Sequence, residues 1–257
     1  MRFSANISLM YADIPFADRA ARARDDGFTA VECWWPFPDA APAANEISAF
    51  LTSLDRLGLG LTAMNLYAGD MPAGDRGILS HPDASADFST SLATLVDITR
   101  DSGCRTVNAL YGQRLEGVDP SVQDGVALDR LRRAADDLGP VGAQVVVEAL
   151  TRGQNGAYPL STLQETLQVT EATGRANVRP LFDAFHLHNN GADVVAEYAA
   201  HATAIGHIQV ADSPGRGRPG TGGIDFAGLF ATIEAADYDG WIGCEYRETE
   251  LHGVPSV

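Results

Sequence analysis

Four residues occupy positions that packing alone does not explain. Glu148 comes near the end of the apolar run Ala143 to Ala149, and Asp183 closes the run from Val178. Gln209 interrupts the run Ile205 to Ala211, and Glu245 ends the run from Trp241. Each is an acid or an amide at the end of a segment that otherwise excludes polar groups. Any one of them could cap a helix or sit in a buried pair. Gathered in one place, they would be costly to bury without a shared positive partner, and a cation supplies it. Carboxylate and amide oxygens are hard donors, with no thiolate or imidazole among them. The set suits Mg2+ or Mn2+, and Zn2+ less well. Beyond Gln209 the acid Asp212 closes its run. The loop that follows, Ser213 to Gly220, holds Arg216 and is too rich in Gly, Pro and Arg to be helix or strand.

The elements that must bring these residues together alternate along the chain. Strands are expected at 3–8, 29–34, 59–67, 106–110, 143–149, 178–183, 205–211 and 241–245. Helices are expected at 16–26, 43–57, 84–102, 120–138, 161–173, 192–201 and 225–236, many of them stopped by glycine, as at Gly27, Gly58, Gly103 and Gly174. Near-continuous apolar strands imply burial on both faces, as in a parallel sheet. Eight strand-then-helix units of roughly 30 residues match an α/β (β/α)8 barrel, one domain over residues 1–257. A doubly wound open sheet is the alternative. The tail after Glu245 leaves room for a brief eighth helix or none. In a barrel of this kind chemistry sits at the carboxyl ends of the strands, on one rim, which is where all four residues fall. Cys244 adjoins Glu245, but alternation along the strand turns it away from that rim.

Composition narrows the chemistry. The formal net charge of -16 argues against nucleic acid, since binding phosphate needs a basic surface. All 18 basic residues are arginine. Without lysine there is no Schiff-base aldolase step, no pyridoxal-phosphate lysine and no P-loop lysine. Gly215 to Gly220 matches GxGxxG formally, but it comes late in the chain and Pro219 interrupts it. It is not read as a dinucleotide fingerprint, so no nucleotide cofactor is expected. No apolar run of about 18 residues suggests a membrane span. Nothing near Met1 resembles a signal peptide. The three cysteines are far apart, so reduced thiols and a cytoplasmic location are expected.

The segments RFSANISLMY, AGDMPAGDRGI, LFDAFH, GHIQVADSPGRGRPGTGGIDF and YDGWIGCEY resemble the hydroxypyruvate isomerase family, within the wider xylose-isomerase-like barrels. The resemblance runs over essentially the whole chain. It places the family's metal ligands on Glu148, Asp183, Gln209 and Glu245. It places the substrate-contacting residues on His186 and Arg216. It implies interconversion of hydroxypyruvate and 2-hydroxy-3-oxopropanoate through an enediolate, with Glu148 and Glu245 moving the proton. Arg216 would hold the substrate carboxylate. Trp34, Trp35 and Phe37 are expected to wall the pocket, although aromatic residues at a strand end can equally be core. Asn65 is placed with the wall residues at the end of the third strand.

Two departures stand out. The family usually reads Glu-Pro-Ile-Asn after the fifth strand, where this chain reads Glu148-Ala149-Leu150-Thr151. Relatives commonly carry His before the equivalent of Asn65, where this chain has Met64. An isomerase of 2-oxotetronate, a ketose 3-epimerase and a non-catalytic sugar-acid binder are therefore carried as alternatives. An abasic-site endonuclease would need a basic face and several histidines for a zinc cluster. The expected partner is a small oxo acid or ketose, and a homo-oligomer is left open.

Overall fold

The structure, a computed structural model, describes residues 1–247 together with Val254 and Pro255. Its strands are β1 (Arg2–Asn6), β2 (Ala30–Cys33), β3 (Gly60–Asn65), β4 (Thr106–Asn108), β5 (Gln144–Glu148), β6 (Val178–Asp183), β7 (His207–Val210) and β8 (Trp241–Cys244). They pair in chain order, all parallel, and β1 closes on β8, making a barrel. Parallel neighbours need a crossover between them. Helices supply it: α1 (Phe16–Asp25), α2 (Ala44–Leu57), α3 (Ser85–Ser102), α4 (Pro120–Leu138), α5 (Leu163–Ala172), α6 (Ala184–Asn189), α7 (Val194–His201) and α8 (Phe226–Ala235). Among the described residues no helix is long and apolar enough to cross a membrane.

Local sequence sets these limits. Gly58 and Gly103 stop α2 and α3 in the left-handed conformation, at φ 68° and 71°, which costs glycine nothing. Thr162 and Glu165 form a capping box at the start of α5. Val145, Val146 and Val147 are wholly buried, as strands covered by helices on one face and by the barrel interior on the other must be.

Several boundaries differ from the sequence expectation. Strand β6 matches its expected range, and the other strands are shorter by one to three residues at their ends. Strand β7 starts at His207, because Ala202–Ala204 form a 3-10 turn and Ile205 and Gly206 lead out of it. The short helix α6 was not expected. Asp183 leads straight into it and its Oδ1 accepts the His186 backbone N–H at 3.0 Å. The expected segment after Glu245 lies largely outside the described residues.

Register then fixes the rim. Asp183 pairs with Gln209, and Gln209 pairs with Gly243. Glu148 is the last residue of β5. Glu245 falls just beyond β8, and its backbone N–H still reaches the Val210 carbonyl at 3.1 Å. Cys244 packs in the hydrophobic core.

Candidate active site

The rim opens into a cavity of about 950 Å³. Glu148, Glu245, His186 and Arg216 line it, as do Trp34, Trp35, Phe37 and Asn65. Asp183 and Gln209 are set back from its surface and are buried.

The acids converge in two overlapping groups. One ligand atom each from Glu148, Asp183 and His186 lies within 4.8 Å of the others. The Arg216 guanidinium joins Asp183 to Glu245, with Nη2 2.6 Å from Glu245 Oε2 and 3.8 Å from Asp183 Oδ2. The guanidinium also lies over the Phe185 ring, 5.0 Å from its centroid. Three carboxylates so close and so deep resist ionisation. Burial, then the charges of Glu245 and Asp183, pushes Glu148 far above the usual carboxylate range. Burial raises Glu245 to about 7, although Arg216 pulls it down. Burial raises Asp183 against the pull of Arg216 and of the α6 backbone N–H groups. Asp183 thus does cap a helix, but with one oxygen only; the other faces Arg216 and His186.

Neighbouring side chains orient the buried acids. Asn108 Nδ2 donates to Glu148 Oε2 at 2.7 Å. Trp34 Nε1 and Asn6 Nδ2 donate to Glu245 Oε1 at 2.9 and 3.1 Å. Gln209 is different. Its Nε2 donates to Glu32 Oε1 at 2.6 Å, and among the described residues its buried Oε1 has no hydrogen-bond partner. Flipping the amide would set oxygen against carboxylate, so the unpaired oxygen is forced. A buried acceptor left alone costs about 1–3 kcal/mol.

The unusual Thr151 decides the state of His186. The Thr151 backbone N–H donates to His186 Nδ1 at 3.0 Å, and the Thr151 hydroxyl sits 2.7 Å from the same nitrogen. A backbone N–H cannot accept, so Nδ1 carries no proton and the neutral ring is protonated at Nε2. Burial, then Arg216, holds the ring far below its ordinary pKa, hence neutral. Nε2–H faces Glu148 Oε1 at 3.8 Å and Asp183 Oδ2 at 3.7 Å. The imidazole is therefore a fixed donor towards the site and a poor metal ligand, despite its place in the cluster. Long-range proton–nitrogen correlation NMR should show Nε2 as the protonated nitrogen of His186. A signal from protonated Nδ1 would contradict this geometry.

The loop that carries Arg216 is built by Asp212. This wholly buried carboxylate accepts backbone N–H groups from Gly220 and Gly222 at 2.8 Å and from Ile224 at 3.1 Å. Gly222 has no room for a Cβ against the Ser213 carbonyl. Arg216 itself adopts φ 57°, a left-handed conformation uncommon for a side chain of its size. Asp212→Asn would turn an amide donor towards N–H groups that need an acceptor. It should lower stability by about 1–3 kcal/mol and open residues 213–224 to protease, read by thermal melting and limited proteolysis. Unchanged melting and cleavage would count against this role.

The sequence profile described as xylose isomerase-like TIM barrel matches residues 20–255. The chain belongs to that family. A putative hydroxypyruvate isomerase of Streptomyces coelicolor is 42% identical, over 96% of this chain and 90% of that protein. A 2-oxo-tetronate isomerase of Cupriavidus necator is 32% identical, over 96% and 92%. The crystal structure of an AP endonuclease, family 2, from Brucella melitensis superposes with a TM-score of 0.86 at 29% identity, over 95% of this chain and 92% of that one. By this kinship the protein is an isomerase of the xylose isomerase-like barrels.

Within this family barrel, sequence reasoning passed over four residues that shape the site: Glu32, His207, Asn6 and Asn108. All four are buried polar residues on strands. The criterion that found Gln209 applies to them as well. Glu32 and Asn108 fall inside otherwise apolar runs, and His207 lies two residues before Gln209, on the same face of β7.

Proposed function

We propose that the protein is a divalent-cation-dependent isomerase that interconverts hydroxypyruvate and 2-hydroxy-3-oxopropanoate. The observation that carries this is the buried group Glu148, Asp183 and Glu245 beside an unpaired Gln209 oxygen, on the rim of one cavity. The donor set fits a hard cation: three carboxylates, and an amide oxygen that already lacks a partner. Glu148, Asp183, Gln209 and Glu245 would hold the ion. When bound, it supplies Lewis-acid stabilisation of the charge that develops on the substrate oxygens.

The chain's own residues do the rest. One of Glu148 and Glu245 removes a proton from the hydroxymethyl carbon, giving an enediolate. The other returns a proton to the neighbouring carbon, while the hydroxyl proton passes from the hydroxymethyl oxygen to the former carbonyl oxygen. Both glutamates line the cavity, where a bound substrate would lie within reach of each. Asn108, Trp34 and Asn6 fix the two carboxylates, so little reorganisation is needed. His186 offers Nε2–H to a substrate oxygen. Arg216 exchanges its bond to Glu245 for a bidentate grip on the substrate carboxylate. The aromatic wall, in which the Trp35 ring lies 5.3 Å from Phe37, excludes water.

A second reading has its own support. The cavity, about 950 Å³, is at the large end of ligand pockets and far exceeds a three-carbon acid. Leu150 lines it where the family motif departs. A four-carbon acid such as 2-oxotetronate therefore competes with hydroxypyruvate. An endonuclease reading suits a net charge of -16 poorly. The test is a panel of hydroxypyruvate, four- to six-carbon oxo acids and ketoses, assayed with and without Mg2+ or Mn2+. Cation-dependent turnover of an oxo acid is expected. Turnover of ketoses alone would make it an epimerase, and binding without turnover a sugar-acid binder.

A further inference from the structure

We propose that Glu32 is a positioning residue for the rim site, whose carboxylate decides which side of the Gln209 amide is offered to the cation. The proposal rests on the cation reading above. Glu32 is 1% exposed and is the one polar residue of β2, Ala30–Cys33. Two strands, β1 and β8, separate β2 from β7 around the barrel, so the Glu32 side chain must cross the interior to reach Gln209. Gly243 makes that crossing possible. It pairs with Gln209 on one side and with Ser4 on the other. A Cβ built on it would overlap both Glu32 oxygens.

The bonds around Glu32 fix its orientation. Oε1 accepts from Gln209 Nε2 at 2.6 Å and from Asn6 Nδ2 at 3.1 Å. Oε2 lies 2.8 Å from His207 Nε2 and 3.4 Å from the Ser4 hydroxyl. A carboxylate can only accept. Gln209 must therefore show Glu32 its NH2 group and turn its oxygen away, which is why that oxygen is buried without a partner among the described residues. Asn6 Nδ2 also donates to Glu245 Oε1 at 3.1 Å, so the same carboxylate reaches a second rim residue. Groups that hold ligands in place in this way typically change metal affinity by about 10–100-fold.

The test is Mn2+ binding, followed by the electron paramagnetic resonance signal of the free ion, alongside thermal melting with and without Mn2+. Glu32→Gln gives the Gln209 amide freedom to turn. It should weaken Mn2+ binding by about 10–100-fold and shrink the rise in melting temperature that Mn2+ brings. Gly243→Ala displaces the same carboxylate while leaving its charge, and should also weaken binding. In a Gln209→Ala background most of the Glu32→Gln effect should be gone. A purely structural role would lower the melting temperature of the metal-free protein and leave the Mn2+-induced rise intact. Wild-type protein that binds no Mn2+ overturns the cation reading, and this proposal with it. Wild-type binding with unchanged affinity in both Glu32→Gln and Gly243→Ala overturns the proposal alone. So does a Glu32→Gln loss that is undiminished in the Gln209→Ala background.

Discussion

Glu148→Gln and Glu245→Gln should each lower kcat by about 10²–10⁴-fold, the range that a positioned acid or base contributes. Glutamine keeps the shape and cannot move a proton. The two carboxylates are distinct in their surroundings, which makes their effects separable. Glu148 is held at Oε2 by Asn108 and lies deepest in the electrostatic conflict. Glu245 is held at Oε1 by Trp34 and Asn6 and is tied to Arg216 at Oε2. Both variants should also bind the cation more weakly, so kcat must be compared at saturating Mg2+ or Mn2+. The loss in kcat that persists there belongs to proton transfer. Full turnover by both variants at saturating cation would end the two-glutamate mechanism.

Removal of the divalent ion is expected to abolish turnover, and return of Mg2+ or Mn2+ to restore it. The same ion should cancel the dependence of stability on pH that these acids cause. In the metal-free protein the folded state holds protons on Glu148 and Glu245 more tightly than the unfolded chain does, because both are raised by burial. Their contribution to stability is therefore present below the ordinary glutamate range, about 4.3, and is lost as pH rises, for Glu245 through about 7. A saturating cation must displace those protons, so its affinity climbs with pH, by up to about tenfold per pH unit for each proton displaced. His186 works in the opposite sense, since its lowered pKa makes the folded state lose stability below about 6.5. The comparison is cleanest between about pH 6.5 and 8.5, above the histidine range. There the metal-free protein should lose stability as pH rises, the Mn2+-loaded protein should change little, and the stabilisation that Mn2+ brings should therefore grow. Parallel slopes with and without Mn2+ would count against cation binding by these acids.

The barrel was legible because its signals are local. Apolar strands covered on both faces read as unbroken runs, and glycines such as Gly58 and Gly103 mark helix ends. Helix α4, Pro120–Leu138, falls where proline at its start and glycine after its end put it. The rim residues were legible for the same reason, since a lone acid at the end of an apolar strand shows in one dimension. What did not show is what lies across the barrel from what. Glu32 and Gln209 are 177 positions apart and meet only because Gly243 leaves space between them. The role of Thr151 was equally hidden, because it acts mainly through a backbone N–H that any residue but proline could supply. Sequence placed Arg216 as a clamp for substrate, whereas here its guanidinium bridges Glu245 and Asp183. Four buried polar groups imply positive charge, but residue types alone do not say whether an arginine or an ion provides it.

That ambiguity can be resolved directly. Crystals of the protein soaked in Mn2+ can be measured for anomalous scattering at the manganese edge. The account predicts one strong peak enclosed by oxygens of Glu148, Asp183, Gln209 and Glu245, with His186 outside the coordination sphere. No peak at the rim, or an ion bound elsewhere while Gln209 Oε1 stays unpaired, would contradict it.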